Sequence, residues 1–90
     1  MATVDVTVKE QPDGWTADVR VADHATTTHR VRVTRAEHAM FGGGDVRDLV
    51  RRSFDFLLAR EPNTSVLREF SLSTIERYFP DYRDAMTRRG

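Results

Sequence analysis

The residues whose order comes closest to a working chemistry are Glu69-Phe70-Ser71-Leu72-Ser73-Thr74-Ile75-Glu76-Arg77-Tyr78. They have the cadence of the turn and recognition helix of a helix-turn-helix, in which a small residue and a serine precede a Thr-Ile pair. On that reading the chain is a DNA-binding protein using the segment Ser71 to Arg77. Ser73, Thr74 and Arg77 approach bases or phosphates, and Arg68, Arg83, Arg88 and Arg89 hold the phosphate backbone. Several residues oppose it. Glu69 stands where the turn commonly wants glycine, Leu72 would be exposed, Glu76 would face phosphate, and Pro62 crowds the preceding helix. Short motifs recur by chance, and an ordinary packed helical hairpin accounts for the same residues. Packing is therefore the first reading and DNA binding the alternative.

The other reactive types are scattered. Gly42-Gly43-Gly44 ahead of a helix has the makings of an anion-binding nest, but Asp45 takes the cap position that an anion would fill, and no Lys-Ser/Thr pair follows. A linker, hinged or ordered, is the expectation there. His24, His29 and His38 lack cysteine neighbours and i,i+4 spacing, so they predict no metal site; His29, on an apolar strand face, is expected to be a hydrogen-bonded, semi-buried histidine. Asp48, Asp55, Asp81 and Asp84 sit on polar helix faces, and the serines sit where caps are needed, so neither a nucleophile with its base nor a constrained carboxylate pair is found. Arg20, Arg30 and Arg32 share a strand face without the aromatic residues on which single-stranded RNA would stack. The chain is accordingly expected to be non-enzymatic, with no catalytic residue, cofactor or metal.

Composition points the same way. Ninety residues make one domain, 1–90, with a modest core and no cysteine to staple it. Fourteen basic residues balance fourteen acidic ones, which argues against a general electrostatic grip on nucleic acid or on an anionic membrane. The start, MATVDVTVKE, alternates polar and apolar residues and has neither the basic start nor the apolar run of a signal peptide. No stretch approaches membrane-spanning length. A cytoplasmic location is the expectation.

The elements follow from periodicity. Val4, Val6 and Val8, then Trp15, Ala17, Val19 and Val21, then His29, Val31 and Val33 each form the apolar side of a strand, and Gln11-Pro12-Asp13-Gly14 supplies a tight reversal. Residues 1–34 are thus a three-stranded antiparallel β-meander, and 35–90 are helical. Thr34-Arg35-Ala36-Glu37 has capping-box spacing and predicts a short helix to Phe41. Asp45 caps the principal helix, Val46 to Arg60, which Glu61-Pro62 stops. On it Val46, Leu49, Val50, Ser53, Phe54, Phe56, Leu57 and Leu58 span about half the circumference, more than one sheet face needs. The surplus must meet the C-terminal segment or a second copy. After Pro62, Asn63 or Thr64 caps a helical turn carrying Val66, Leu67 and Phe70; Ser73-Thr74-Ile75-Glu76 opens another short helix; and Asp81 to Arg88 forms a last one. Leu67, Phe70, Leu72, Ile75, Tyr78 and Phe79 are predicted to point inward.

The combination of SFDFLLAREP with SVLREFSLSTIERYFPDY, across the C-terminal half, resembles a pattern in small bacterial proteins of about this length with no assigned function. The resemblance implies a self-contained domain and carries no catalytic motif. The fold expected is α+β, with the meander packed on one principal helix and short C-terminal helices closing the other side. The function expected is association with a protein partner or self-association as a homodimer. An open edge of the meander is suited to accepting a strand, and the broad arc of the principal helix to accepting a helix.

Overall fold

The structure, a computed structural model, describes residues 2–88. Three long strands come first: β1 (Thr3–Gln11), β2 (Gly14–Ala22) and β3 (Thr26–Thr34). Helices α1 (Arg35–Met40) and α2 (Val46–Leu58) follow. Then come a 3-10 turn (Asn63–Ser65), a short strand β4 (Glu69–Ser71), and helices α3 (Leu72–Tyr78) and α4 (Tyr82–Thr87). The fold is α+β. Its sheet has four strands in the order β1-β2-β3-β4, however, and β4 pairs parallel to β3.

The meander forms where alternation demands it. Val4, Val6, Ala17, Val19, Val21, Val31 and Val33 are buried on one face, and charged and hydroxyl side chains alternate with them on the other. Pro12 and Asp13 make a two-residue loop between the paired Gln11 and Gly14. Gly14 is required at its place: a Cβ there would lie 2.1 Å from the carbonyl oxygen of Val33 on the next strand.

The segment between α2 and α3 differs from the expected helical turn, because tertiary partners claim its backbone. His29 Nδ1 donates to the Leu67 carbonyl at 2.7 Å, and the Arg30 N–H donates to the Arg68 carbonyl at 2.7 Å. Asn63 Nδ2 donates to both the Ala25 carbonyl and Thr27 Oγ1 at 2.9 Å. With its carbonyls committed to β3, the chain runs extended from Val66 and pairs as β4. A local cap at Asn63 sustains only one 3-10 turn. His29 is hydrogen-bonded as expected but buried rather than semi-buried, and because Leu67 offers only a carbonyl, its Nδ1 carries the proton while Nε2 faces Thr27 Oγ1 at 2.8 Å.

Helix α2 is the centre of the molecule. Asp45 caps it by accepting from the Asp48 N–H at 3.2 Å, and its apolar arc is covered from two sides. The sheet meets one side. On the other lie Tyr82 and Met86 of α4, with Phe41, Phe56 and Phe79 packed edge-on around them at ring separations of 4.9 to 5.9 Å. Most of the surplus of the arc is therefore met within the chain, and Leu58 is the residue of the arc left half-buried. Arg60 fixes the end of this second core. It lies 3.5 Å over the Phe56 ring, donates to the Phe56 carbonyl and pairs with Asp81 at 2.9 Å.

One polar chain crosses this second core. The Ser53 hydroxyl donates to the Leu49 carbonyl at 2.8 Å and accepts from the Tyr82 hydroxyl at 2.6 Å. Burial raises the phenol well above its ordinary value of 10.0, so Tyr82 remains a donor. The order of donors makes the pair asymmetric. Tyr82→Phe leaves Ser53 bonded to Leu49, whereas Ser53→Ala strands a buried phenol. We expect Ser53→Ala to cost about 1–3 kcal/mol and Tyr82→Phe less, measured by urea unfolding; equal losses would contradict this donor order.

Candidate functional site

The residues of the helix-turn-helix reading do not form one. Glu69–Ser71 is a strand of the sheet, so a strand rather than a helix leads into α3. Ser73 is already engaged: both its N–H and its hydroxyl donate to Glu37 Oε2, at 2.8 and 2.6 Å. Thr74 is half-buried, with its hydroxyl 3.4 Å from that of Ser71. Arg77 is exposed. Of the arginines assigned to phosphates, Arg83 is bidentate to Glu76 at 2.7 and 3.1 Å, Arg68 and Arg88 are exposed, and Arg89 lies outside the described residues. The capping box expected at Ser73-Glu76 is absent too. Helix α3 starts two residues earlier, after Ser71, whose side chain makes no capping bond to the backbone.

Glu37 supplies the cap from outside. It completes the expected capping box of α1, with its Oε1 accepting from the Thr34 N–H at 2.9 Å and its own N–H donating to Thr34 Oγ1 at 3.0 Å. Its second oxygen caps α3. Burial pushes this carboxyl up, but the bonds from Ser73 and Thr34 outweigh burial and hold it below its ordinary value of 4.5. It is 5 % exposed, so it acts as a structural anion and offers no general base to solvent.

Several of the remaining candidates are engaged within the fold. Gly43 N–H donates to the His38 carbonyl at 2.7 Å, and His38 Nε2 donates to the Gly44 carbonyl at 2.6 Å, so the glycine run is an ordered link ending α1. All three glycines take positive φ. Asp48 pairs with Arg52 and Asp81 with Arg60. Among the described residues no group of three His, Cys, Asp or Glu side chains is placed to hold a metal ion, and each buried side-chain polar atom has a hydrogen-bond partner.

Apolar surface is open as well, apart from a wider charged cleft along the outer face of the sheet that runs from Asp5 and Arg20 to Arg68 and Glu69. Leu67 and Tyr78, both predicted to point inward, are 49 % and 67 % exposed. They stand beside a groove of about 340 Å³ between the end of α2 and α3, with Leu57, Val66, Phe70, Ile75 and Phe79 as its apolar lining. Ser65 and Thr74 add hydroxyls, and Glu61 adds the one charge. The anchoring of the preceding turn explains this surface. Once the Leu67 and Arg68 carbonyls are bound by β3, extended geometry turns Val66 into the core and Leu67 away from it. On α3, Leu72, Ile75 and Phe79 share the inward face by their i,i+3 and i,i+4 spacing, and Tyr78 falls beside it. The bent, non-helical course of 66–68 into β4 was the missing signal, because a helical reading places Leu67 and Phe70 on one side.

No family model, curated protein or solved structure matches the chain. Among the described residues no helix is long and apolar enough to cross a membrane.

The dual cap yields a pH prediction. Because the folded carboxyl of Glu37 titrates below 4.5, the stability it contributes is present above that pH and is lost as pH falls through the depressed value. Glu37→Gln points an amide NH2 at two Ser73 donors. It should cost about 2 kcal/mol at pH 7 and flatten the decline of stability below pH 4.5, relative to the parent chain, in thermal unfolding across pH 2.5–7. A variant with unchanged stability and an unchanged acid limb would remove Glu37 from this role.

Proposed function

We propose that the protein is a non-enzymatic cytoplasmic domain that acts by binding another polypeptide, and that the groove between α2 and α3 is where it does so. The observation that carries this reading is the pair Leu67 and Tyr78. Both are large apolar side chains held out in water on anchored backbone, at the rim of a concave surface floored by core residues. Contiguous apolar surface of this kind marks interaction sites, and tyrosine is among the residue types that carry most of the binding energy at them. The groove suits one or two apolar side chains of a short peptide segment, and Glu61 favours a basic residue beside them.

Protein binding is preferred to DNA binding for two reasons of geometry and one of charge. A strand stands where the first helix of a helix-turn-helix belongs, Ser73 is committed to Glu37, and the charge of the chain is balanced. It is preferred to catalysis because the buried polar side chains, His29, Glu37, Ser53 and Asn63 among them, have their hydrogen-bonding capacity directed at the fold.

Selection from a displayed random peptide library against the intact chain tests the reading. Recovered peptides should share apolar anchors flanked by a basic residue. They should bind Leu67→Asp or Tyr78→Asp at least tenfold more weakly, with circular dichroism unchanged, since both sites are exposed. Peptides that bind parent and variants equally, or a selection that enriches nothing, would refute the groove.

A further inference from the structure

The two edges of the sheet are treated differently. Beside β3 the edge is covered by β4 at Arg30 to Arg32, whereas among the described residues β1 has no strand on its outer side over nine residues. We infer that β1 pairs antiparallel with β1 of a second copy about a twofold axis at Thr7, setting Asp5 of each chain against the partner's Lys9. This goes beyond the peptide groove, from which it is independent: the groove borders β4, at the opposite side of the sheet.

The backbone fixes which groups face outward. The Arg30 N–H points at β4, so the even-numbered residues of β3 do not bond to β2, and Asp18↔Arg30 is a non-hydrogen-bonded pair. Continuing the alternation across the unbroken registers, the odd residues of β1 bond to β2. The N–H and C=O groups of Val4, Val6, Val8 and Glu10 are therefore the ones aimed off the sheet. Any twin strand must bond to those four residues, which restricts the antiparallel registers to steps of two.

Charge then selects among these registers. One centred on Asp5 sets Asp5 against itself, and one centred on Lys9 sets Lys9 against itself. Those centred on Val6 or Val8 oppose each charge to an uncharged residue. The register centred on Thr7 overlaps all nine residues and opposes Asp5 to Lys9 twice. These would be non-hydrogen-bonded pairs, where side chains approach most closely. The sheet already uses that device within the chain, since Asp18 and Arg30, joined at 3.2 Å, occupy a pair of the same kind. On this outer face Asp18, Arg30, Arg32 and Glu69 are in ion pairs within the chain, while among the described residues Asp5, which faces Arg20 across the β1–β2 ladder, and Lys9, which faces Thr16, form none. On the inner face the same register sets Val6 against the partner's Val8, covering a valine that α2 leaves half-exposed. An edge lysine can also serve to repel strands; the opposed carboxylate four residues away, at the spacing the twofold requires, points to pairing.

Analytical ultracentrifugation of the full chain tests this, using the parent, Asp5→Lys, Lys9→Asp and the double variant. The parent should dimerise reversibly. Each single reversal, which creates two like-charge oppositions, should raise the dimer Kd roughly tenfold or more, and the double swap should return it to within about threefold of the parent. Hydrogen exchange provides a second readout in the parent: the Val6 and Val8 amides should be protected at high concentration and exchange rapidly on dilution. A parent that stays monomeric at several hundred micromolar would overturn the proposal. So would a dimer that all four chains form equally well, or single reversals that the double swap does not rescue.

Discussion

Parallel pairing of β3 with β4 is the constraint from which the arrangement of the helical half follows. Each of these strands runs straight into a helix, Thr34 into α1 and Ser71 into α3, and parallel strands deliver their helices to the same end of the sheet. Two helix N-termini thus arrive side by side, each with unsatisfied N–H groups and a partial positive charge. Left alone they would repel and leave donors unpaired in a half-buried setting. Glu37 resolves both problems with one carboxylate, Oε1 serving α1 and Oε2 serving α3. The usual cost of burying a charge is offset because the anion meets the positive ends of two helices and bonds from Ser73 and Thr34.

That clamp bears on the second core. Helix α3 is fixed at its start by Glu37 and at its far end by Phe79, which packs on Phe56 of α2. The chain then turns through Pro80 and Asp81 into α4, and Arg60 ties Asp81 back to the end of α2. Tyr82 is placed by these restraints against Phe41, Phe56 and Ser53 together. A ninety-residue chain thereby surrounds its main helix on two sides. It does so with short helices of six and seven residues, which would not hold their shape in isolation.

Local patterns made much of this legible. The strand alternation, the Thr34-Glu37 capping box, the Asp45 cap and the wide arc of α2 are each written within a dozen neighbouring residues, and each appears in the structure. Contacts distant in sequence were not legible. The segment Asn63 to Ser71 has cap-like residues and helical spacing, yet its conformation is decided by His29 and Arg30, more than thirty residues away, which claim two carbonyls. The error propagated to function. Read as helix, Leu67 joined the core; on the course the chain takes it points to water, beside Tyr78 at the edge of the groove. Glu37 shows the same limit, since its bonds to Thr34 follow from spacing and its bonds to Ser73 do not.

The strand order separates the two open surfaces. The groove borders β4 and the free edge is β1, so three inter-strand spacings, about 14 Å, lie between them. Pairing through β1 would join two four-stranded sheets into one of eight and carry the grooves to its opposite ends, with β4 and its twin roughly 33 Å apart. Neither groove would be obstructed by the join. A twofold assembly of this kind presents two identical apolar sites at a fixed separation, which favours a partner that repeats its own binding segment or is itself dimeric. The gain comes from effective concentration, so it depends on that separation being matched and needs no deeper groove. On the proposed reading, a shallow groove of about 340 Å³ would gain more from being presented twice than from any added depth.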